Sequence, residues 1–230
     1  MTKRYDIQGI RGLAIAGVLA FHLNDVAFPA GFIGVDMFFV LSGYLMAVIL
    51  AKEPHLDMTV FRQFYVRRFK RIVPLYAILI ATLTIIVPFI LLRRDVLKYC
   101  EDVVWASAFA TNIQTVLEKR DYFSELYDSN VLTHMWSLGV EIQYYLIVPF
   151  IILAQRKLSL KYKSFKFIPL LLISSLTFQL LSSPLLAFNL LPSRVWQFLA
   201  GALSHEYSPP SNGFPSGSNV IYEKLRTDEV

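Results

Sequence analysis

Two long runs without a charged side chain constrain the fold of this chain most strongly. Ile72–Leu92 and Phe167–Ser193 each reach or exceed the ~20 residues that a helix needs to cross a bilayer. The chain is 55% hydrophobic, with a mean hydropathy of +0.50, which is more apolar surface than a soluble domain can bury. As one helix, Phe167–Ser193 would measure about 40 Å, so we expect it to tilt, kink near Pro184 or extend past the interface. The sequence therefore predicts an all-α, polytopic transmembrane helix bundle.

Further apolar segments raise the predicted number of spans to about five or six. They are Gly12–Ala30, Phe32–Ala51, Met135–Ala154 and the start of a helix at Val195–Leu203. We assign residues 1–204 to the transmembrane domain. Residues 205–230 are polar and contain scattered Pro, Ser and Gly, a composition typical of a disordered tail.

The distribution of lysine and arginine predicts the orientation of the bundle. The connector Lys52–Arg71 and the predicted loop Gln155–Lys166 are basic, whereas the turn Ala27–Gly31 has neither residue type. Because cytosolic loops carry the excess of Lys and Arg, we expect the amino terminus and both basic segments to be cytosolic. Val103–Val116, too short and polar for a confident span, is then re-entrant or lies on the surface. Positive charge beside spans fits a lipid bilayer as partner and argues against nucleic acid.

The first span carries two ionisable side chains, Arg11 and His22. Their spacing places them within about 20° of one helical face and roughly 16 Å apart along the axis. A neutral imidazole near mid-membrane can accept a proton from a hydroxyl at physiological pH. Alternatively, His22 bonds a neighbouring helix and Arg11 reaches to lipid headgroups. Spacing alone leaves both interpretations open.

The motif Gly34–Tyr44 places a carboxylate near the start of the second span. Asp36 fits two interpretations equally, because it could orient His22 or cap the start of the helix. Ser42 can bond the carbonyl one turn earlier, and Gly43 permits close helix packing. Both residues are therefore explained without a catalytic role.

The motif His134–Tyr145 places three polar side chains on one predicted helical face. His134 and Glu141 lie two turns apart, and Tyr145 continues the stripe. Together they could polarise an acceptor hydroxyl. The alternative is a polar network between helices, with Trp136 and His134 at the membrane interface. The position of Glu141 well inside the span favours a functional role.

Three arginines, Arg67, Arg68 and Arg71, directly precede the run that begins at Ile72. A basic segment beside a span normally binds anionic lipid. The same guanidinium groups could instead hold the phosphates of a cytosolic coenzyme-A ester.

In order and spacing, these segments resemble the acyltransferase 3 family of membrane-bound O-acyltransferases. The matching pieces are Gln8–Leu13 followed by His22, then Gly34–Leu45, Arg67–Pro74, His134–Pro149 and Pro192–Gly201. The resemblance runs from about Tyr5 to Leu203. Family members have roughly ten membrane helices, and the apolar segments here provide for only about five or six. The resemblance therefore implies an incomplete family fold, truncated after its amino-terminal part.

The resemblance implies an enzyme that transfers an acyl group, commonly acetyl, from acyl-coenzyme A to a hydroxyl of a sugar, lipid or other acceptor. Acyl-coenzyme A is then a donor substrate and no cofactor is permanently bound. Arg11 and His22 would form the essential pair, and Arg67, Arg68 and Arg71 would face the donor. Glu141 and Arg194 fall on other positions characteristic of the family.

We therefore hypothesise that His22, helped by Asp36 or Glu141, deprotonates the acceptor hydroxyl. The chemistry needs no metal, and the single cysteine, Cys100, excludes a Cys-rich metal site. The alternative from another class is a catalytically incomplete membrane protein, such as a truncated regulator or a transporter-like subunit. Transporters usually contain repeats, and the sequence shows none.

Overall fold

The computed structural model describes residues 5–119, 131–162 and 166–207, and every regular element in these ranges is a helix. In chain order the α-helices are α1 Tyr5–Leu23, α2 Ile33–Ala51, α3 Met58–Ile86, α4 Arg93–Ser107, α5 Thr111–Leu117, α6 Trp136–Lys161, α7 Phe167–Leu181, α8 Pro184–Asn189 and α9 Leu191–Tyr207. The predicted all-α class is confirmed for this part of the chain.

Three helices among the described residues are long and apolar enough to cross a bilayer. They are α2, α3 with the 3-10 turn Val87–Phe89 that continues it, and α6 with the 3-10 turn Thr133–Met135 that precedes it. α7 is apolar but shorter. A helix satisfies its own backbone hydrogen bonds, which the bilayer interior requires of a spanning segment. The chain is therefore a helical membrane protein, and the count of five or six spans stays a prediction.

The third span and the basic segment before it form one continuous helix. Sequence patterning divided Lys52–Arg71 from Ile72–Leu92, whereas α3 passes through this boundary with Pro74 inside it. The helix starts where the Asp57 side chain accepts a hydrogen bond from the N–H of Val60 (2.8 Å), a standard amino-terminal cap. The predicted donor-binding arginines thus stand on the same helix as the span.

The long uncharged run Phe167–Ser193 is not one helix. It is divided into α7, α8 and the start of α9 by breaks at Ser182–Ser183 and at Leu190. Pro184 occupies the first position of α8, where its missing N–H leaves no hydrogen bond unmade. The departure expected near Pro184 is confirmed, and it takes the form of a break rather than a tilt of one long helix.

α1 is shifted toward the amino terminus relative to the predicted span Gly12–Ala30. It ends before Asn24, whose side chain accepts a hydrogen bond from the N–H of Ala27 (2.9 Å). Such local bonds let asparagine compete with helix continuation. Turns then occupy most of residues 24–32, so the reversal predicted around Pro29 is confirmed.

The described helices form two compact units. Unit 1 takes residues up to 55, 150–174 and those from 195 onward, and unit 2 takes 56–149 and 175–194. α6, α7 and α9 contribute residues to both.

In unit 1, α1 and α2 pack through small residues. Ala14 is fully buried, and a Cβ on Gly34 would collide with its carbonyl oxygen. A Cβ on Gly31 would likewise collide with the main chain of Gly17. Small residues let helix backbones approach each other, which membrane helices use because lipid offers little hydrophobic drive for association.

α2 also crosses α9 at two glycines of unit 1. A Cβ on Gly43 would collide with the main chain of Phe198, and one on Gly201 with the main chain of Val40. The rings of Phe39 and Phe198 stack next to this crossing, with centroids 4.7 Å apart. The packing role predicted for Gly43 is confirmed.

α9 continues into the segment interpreted as the start of the polar tail. His205 is buried and packs edge-on against Tyr44, with ring centroids 5.7 Å apart. Burial lowers the pKa of His205, because a charged imidazolium would lose its hydration. The predicted tail beyond Tyr207 lies outside the described residues.

Arg156 of α6 caps the carboxyl end of α2 within unit 1. Its guanidinium donates to the carbonyls of Leu50 (2.7 Å), Glu53 (2.7 Å) and Pro54 (3.1 Å). Terminal carbonyls lack intrahelical partners and carry partial negative charge, so a cation stabilises them. The prediction of a loop over Gln155–Lys166 is wrong for its first part, because α6 continues to Lys161 and holds this arginine in place. The two segments predicted to be cytosolic therefore meet at one end of unit 1.

Replacing Arg156 with alanine is expected to lower the free energy of unfolding by about 2 kcal/mol or more, because three charge-assisted hydrogen bonds are lost. Chemical unfolding of the purified protein in micelles measures this. Lys157 is the exposed neighbour on the same helix, and Lys157→Ala should change stability by less than about 0.5 kcal/mol. Equal stability of the two variants would contradict the capping role.

Candidate active site

His22, near the end of α1, is positioned by a hydrogen bond to its own helix. Its Nδ1 lies 2.7 Å from the carbonyl oxygen of Val18. A carbonyl oxygen can only accept, so in the neutral ring Nδ1 carries the proton and Nε2 carries the lone pair. The ring packs edge-on against Phe21, with centroids 5.4 Å apart. This geometry assigns Nε2 as the nitrogen that could accept a proton from a substrate.

Arg11 stands on the same unbroken helix as His22. Because α1 is continuous from Tyr5 to Leu23, the two side chains keep the predicted offset of about 20° and roughly 16 Å. Both lie about 60–80° around the helix from Ala14, which faces α2. Arg11 is half-buried and His22 is exposed. The continuous helix on which the same-face prediction depends is therefore present.

Asp36 and Ser42 both lie on α2. Asp36 is half-buried in the first turn, where the helix dipole stabilises a negative charge. Ser42 is buried beside Gly43, at the crossing with α9. Orientation of His22 by Asp36 stays a prediction, and Ser42 belongs to the packed part of unit 1.

The three arginines predicted to face the donor point in different directions from α3. Arg67 and Arg71 are exposed, whereas Arg68 is half-buried. Arg68 shares its helix face with Phe61 and Phe64, which are both buried. Adjacent helical residues differ by about 100° in direction, so one basic segment presents charge both outward and toward the packed face.

Inside unit 2, Arg68 meets two predicted site residues of α6. Its guanidinium lies 6.0 Å from the ring centroid of Tyr145 and 5.9 Å from that of Phe64. The hydroxyl of Tyr145 donates to Glu141 Oε1 over 2.5 Å. The structure thus brings together three residues that the sequence assigned to two separate motifs.

A neighbouring contact holds α3 and α6 in register at this cluster. The hydroxyl of Tyr65 donates to the carbonyl of Leu146 over 2.8 Å. Tyr65 and Leu146 are the sequence neighbours of Phe64 and Tyr145. Tyr65 was not among the residues predicted from the sequence.

His134 does not share the α-helical face of Glu141. It is exposed and lies in the 3-10 turn Thr133–Met135, before α6 begins at Trp136. A 3-10 turn has three residues per turn, so the α-helical spacing assumed for His134 does not apply there. The relation predicted between Glu141 and Tyr145 is confirmed by their hydrogen bond.

Trp136 is buried rather than exposed at an interface, and it packs against Arg194. The guanidinium of Arg194 lies 5.7 Å from the Trp136 ring centroid and 4.9 Å from that of Phe188. Its Nε donates to the carbonyl of Phe188 over 2.9 Å. These contacts join α6, α8 and α9 within unit 2, so Arg194 stabilises the broken C-terminal region.

A buried amide cluster in unit 2 escaped the sequence analysis. Asn112 and Gln143 exchange two side-chain hydrogen bonds of 3.2 and 2.9 Å. Asn112 also donates to the carbonyl of Asn189, and Gln143 to that of Phe109. Phe109 has a positive φ of 54° in the break between α4 and α5. The side-chain amides thus donate hydrogen bonds to carbonyl groups of irregular backbone, which lipid cannot do.

A groove on α3 adds one arginine that the sequence analysis left out. The groove has a volume of about 370 Å³, and its described lining consists of Thr59, Arg62, Gln63, Val66 and Arg67. Arg67 donates to Gln63 Oε1 over 3.4 Å. Two guanidinium groups beside one groove suit an anionic ligand. The sequence signal was the basic stretch itself, which extends one and a half turns before Arg67.

These elements define a helical membrane protein with ionisable side chains on its spanning helices and arginines along the start of a span. Residues 4–217 match the family model of the acyltransferase domain known as acyltransferase 3. The match covers nearly the whole chain, so the chain belongs to this family, and the resemblance inferred from its motifs is confirmed.

Three curated relatives that the chain matches are named as O-acetyltransferases. The chain is 34% identical over 156 residues to the peptidoglycan O-acetyltransferase OatA of Listeria monocytogenes, which covers 64% of this chain and 25% of that protein. It is 32% identical over 156 residues to the O-acetyltransferase OatA of Staphylococcus aureus, covering 66% and 25%. A putative O-acetyltransferase of Staphylococcus aureus strain COL is 32% identical over 148 residues, covering 64% and 24%. The chain thus matches about a quarter of the length of these relatives. No solved structure matches it.

Proposed function

We propose that this chain carries the acyl-transfer site of a membrane O-acyltransferase that moves an acyl group, acetyl first of all, from a coenzyme-A thioester to a hydroxyl. The observation that carries the proposal is the hydrogen bond of His22 Nδ1–H to the carbonyl of Val18, which puts the lone pair of the neutral ring on Nε2. Family membership and the names of the relatives support it.

In the proposed reaction, His22 Nε2 accepts the proton of the acceptor hydroxyl as its oxygen attacks the thioester carbonyl. The new carbon–oxygen bond forms, the carbon–sulfur bond breaks, and the coenzyme-A thiol leaves with the proton. Asp36, in the same unit as His22, would orient the imidazole, and Glu141 with Tyr145 would polarise the acceptor hydroxyl. Arg11, on the same helix face, would bind an anionic group of the donor.

The donor phosphates are proposed to bind the exposed arginines of α3. Arg67 lines the groove that also contains Arg62, and Arg71 is exposed one turn further on. One guanidinium group can bind two phosphate oxygens at once, so arginine suits this task better than lysine. This site would lie on the cytosolic side if the positive-inside orientation holds.

The proposed acceptor is a hydroxyl of a carbohydrate or lipid. The Listeria relative is named for peptidoglycan, a carbohydrate polymer, and this makes a sugar hydroxyl the first acceptor to test. The predicted amino-terminal orientation would direct transfer from a cytosolic donor toward an acceptor at or beyond mid-membrane.

Photocrosslinking of an acyl-coenzyme A analogue and acetyl-transfer assays on the same purified chain in nanodiscs test the proposal. We expect labelling of α3 that excess coenzyme A prevents, together with acetyl transfer to a sugar acceptor. Binding without turnover would contradict an enzyme and favour a truncated regulator. Absence of specific labelling would contradict the donor site.

A further inference from the structure

Arg68 differs in its surroundings from the two arginines with which the family motif groups it. Arg67 and Arg71 are exposed, whereas Arg68 is half-buried on the packed face of α3. Its Nε is buried without a hydrogen-bond partner among the described residues. A phosphate ligand needs its donors presented to the ligand, and here one donor is enclosed between helices.

The contacts of Arg68 are instead made within unit 2. Its guanidinium is within 6.0 Å of the rings of Phe64 and Tyr145, and a planar guanidinium interacts favourably with aromatic faces. Glu141, of opposite charge, stands one helical turn before Tyr145 on the same helix. The Tyr145 hydroxyl, which bonds Glu141 Oε1, links the two charges through one phenol.

A carboxylate within a spanning helix is costly unless a cation or hydrogen-bond donors compensate it. Among the described residues, Tyr145 supplies a hydrogen-bond donor to Glu141, and Arg68 supplies a cation next to Tyr145. Removing the guanidinium would take away its contact with the Tyr145 ring and leave the carboxylate with less compensation. The Glu141–Tyr145 pair would then be free to change direction.

We propose that Arg68 is a positioning residue, which holds the Glu141–Tyr145 pair in its observed direction, while Arg67 and Arg71 alone of the three contact the donor. The inference rests on the proposed acyl transfer for its catalytic consequence. It assigns different kinetic roles to adjacent residues of one motif. Loss of Arg68 lowers the rate of the chemical step, whereas loss of Arg67 weakens donor binding.

Steady-state kinetics of single variants separate these roles. Arg67→Ala and Arg71→Ala should each raise the KM for acetyl-coenzyme A about tenfold or more, with kcat little changed. Arg68→Ala should lower kcat on the order of 10- to 100-fold with the donor KM within about twofold. Lys70→Ala, an exposed change in the same segment, controls for loss of basic charge. A rise in KM for Arg68→Ala that matches Arg67→Ala, with kcat unchanged, would overturn the inference.

A second measurement does not depend on activity and guards against a variant that fails to fold. Thermal unfolding of Arg68→Gln, Glu141→Gln and the double variant should be non-additive, with the neutral double variant no less stable than either single variant. Additive shifts would overturn the pairing. If the variants show non-additive shifts but the wild-type protein transfers no acyl group, the proposed function is overturned and the pairing stands.

Discussion

Replacing His22 with alanine is expected to lower kcat for acyl transfer by at least about 100-fold, because a positioned general base contributes on the order of 100- to 10,000-fold. The structure makes the expectation specific to one atom. Nδ1 is committed to the carbonyl of Val18, so only Nε2 can take the hydroxyl proton. Hydrolysis of the thioester and acetylation of an added acceptor are both measured on purified protein in nanodiscs.

Two further variants separate catalysis from helix packing. His22→Asn retains an amide donor near the position of Nδ1 but has no equivalent of Nε2, so it should be as inactive as His22→Ala. His55 is an exposed histidine between α2 and α3, and His55→Ala should retain normal turnover. Normal activity in His22→Asn would show that the histidine serves only its hydrogen bond to Val18. Normal turnover in both His22→Ala and Arg11→Ala would rule out the mechanism.

Adding a single methyl group at Gly43 or Gly201 is expected to destabilise unit 1 by about 3 kcal/mol or more. A Cβ at either position meets backbone, of Phe198 or of Val40 respectively, and backbone cannot change rotamer to make room. The crossing of α2 and α9 must therefore open, at the cost typical of severe overpacking. The amount of folded protein extracted from membranes and its unfolding midpoint measure the effect.

The chain offers matched controls for these glycine substitutions. A Cβ on Gly9 or Gly12 would have no neighbour within 4 Å among the described residues. Because alanine is favoured over glycine inside a helix by up to about 1 kcal/mol, Gly9→Ala and Gly12→Ala should leave stability unchanged or raise it. Equal behaviour of the Gly9 and Gly43 variants would show that the α2–α9 crossing is not close.

The apolar pattern predicted the existence of the long helices better than their ends. α2 begins and ends within a residue of the predicted span Phe32–Ala51. The pattern divided α3 at Ile72 because charge gives way to apolar residues there, yet a helix backbone is indifferent to that boundary. It also joined three helices into Phe167–Ser193, since Pro184 within an apolar run does not by itself distinguish a kink from a break.

The sequence predicted which residues belong to the candidate site, but only some of the contacts between them. The relation between Glu141 and Tyr145 follows from one helical turn, so spacing was sufficient. The contact of Arg68 with Tyr145 joins residues far apart in the chain, and local patterning contains no information on such pairs. The hydrogen bonds between the side chains of Asn112 and Gln143 were missed for the same reason. An isolated Asn or Gln in a sequence is as compatible with an exposed position as with a buried one.

The sequence by itself determined the membrane class, the all-α fold and the family, because hydropathy over ~20 residues and ordered motifs are properties of the chain alone. Tertiary structure alone decided which arginine of the motif faces inward, which carbonyls Arg156 caps and where glycines let helices touch. These depend on which helix faces meet, and that is settled by packing between segments distant in the chain.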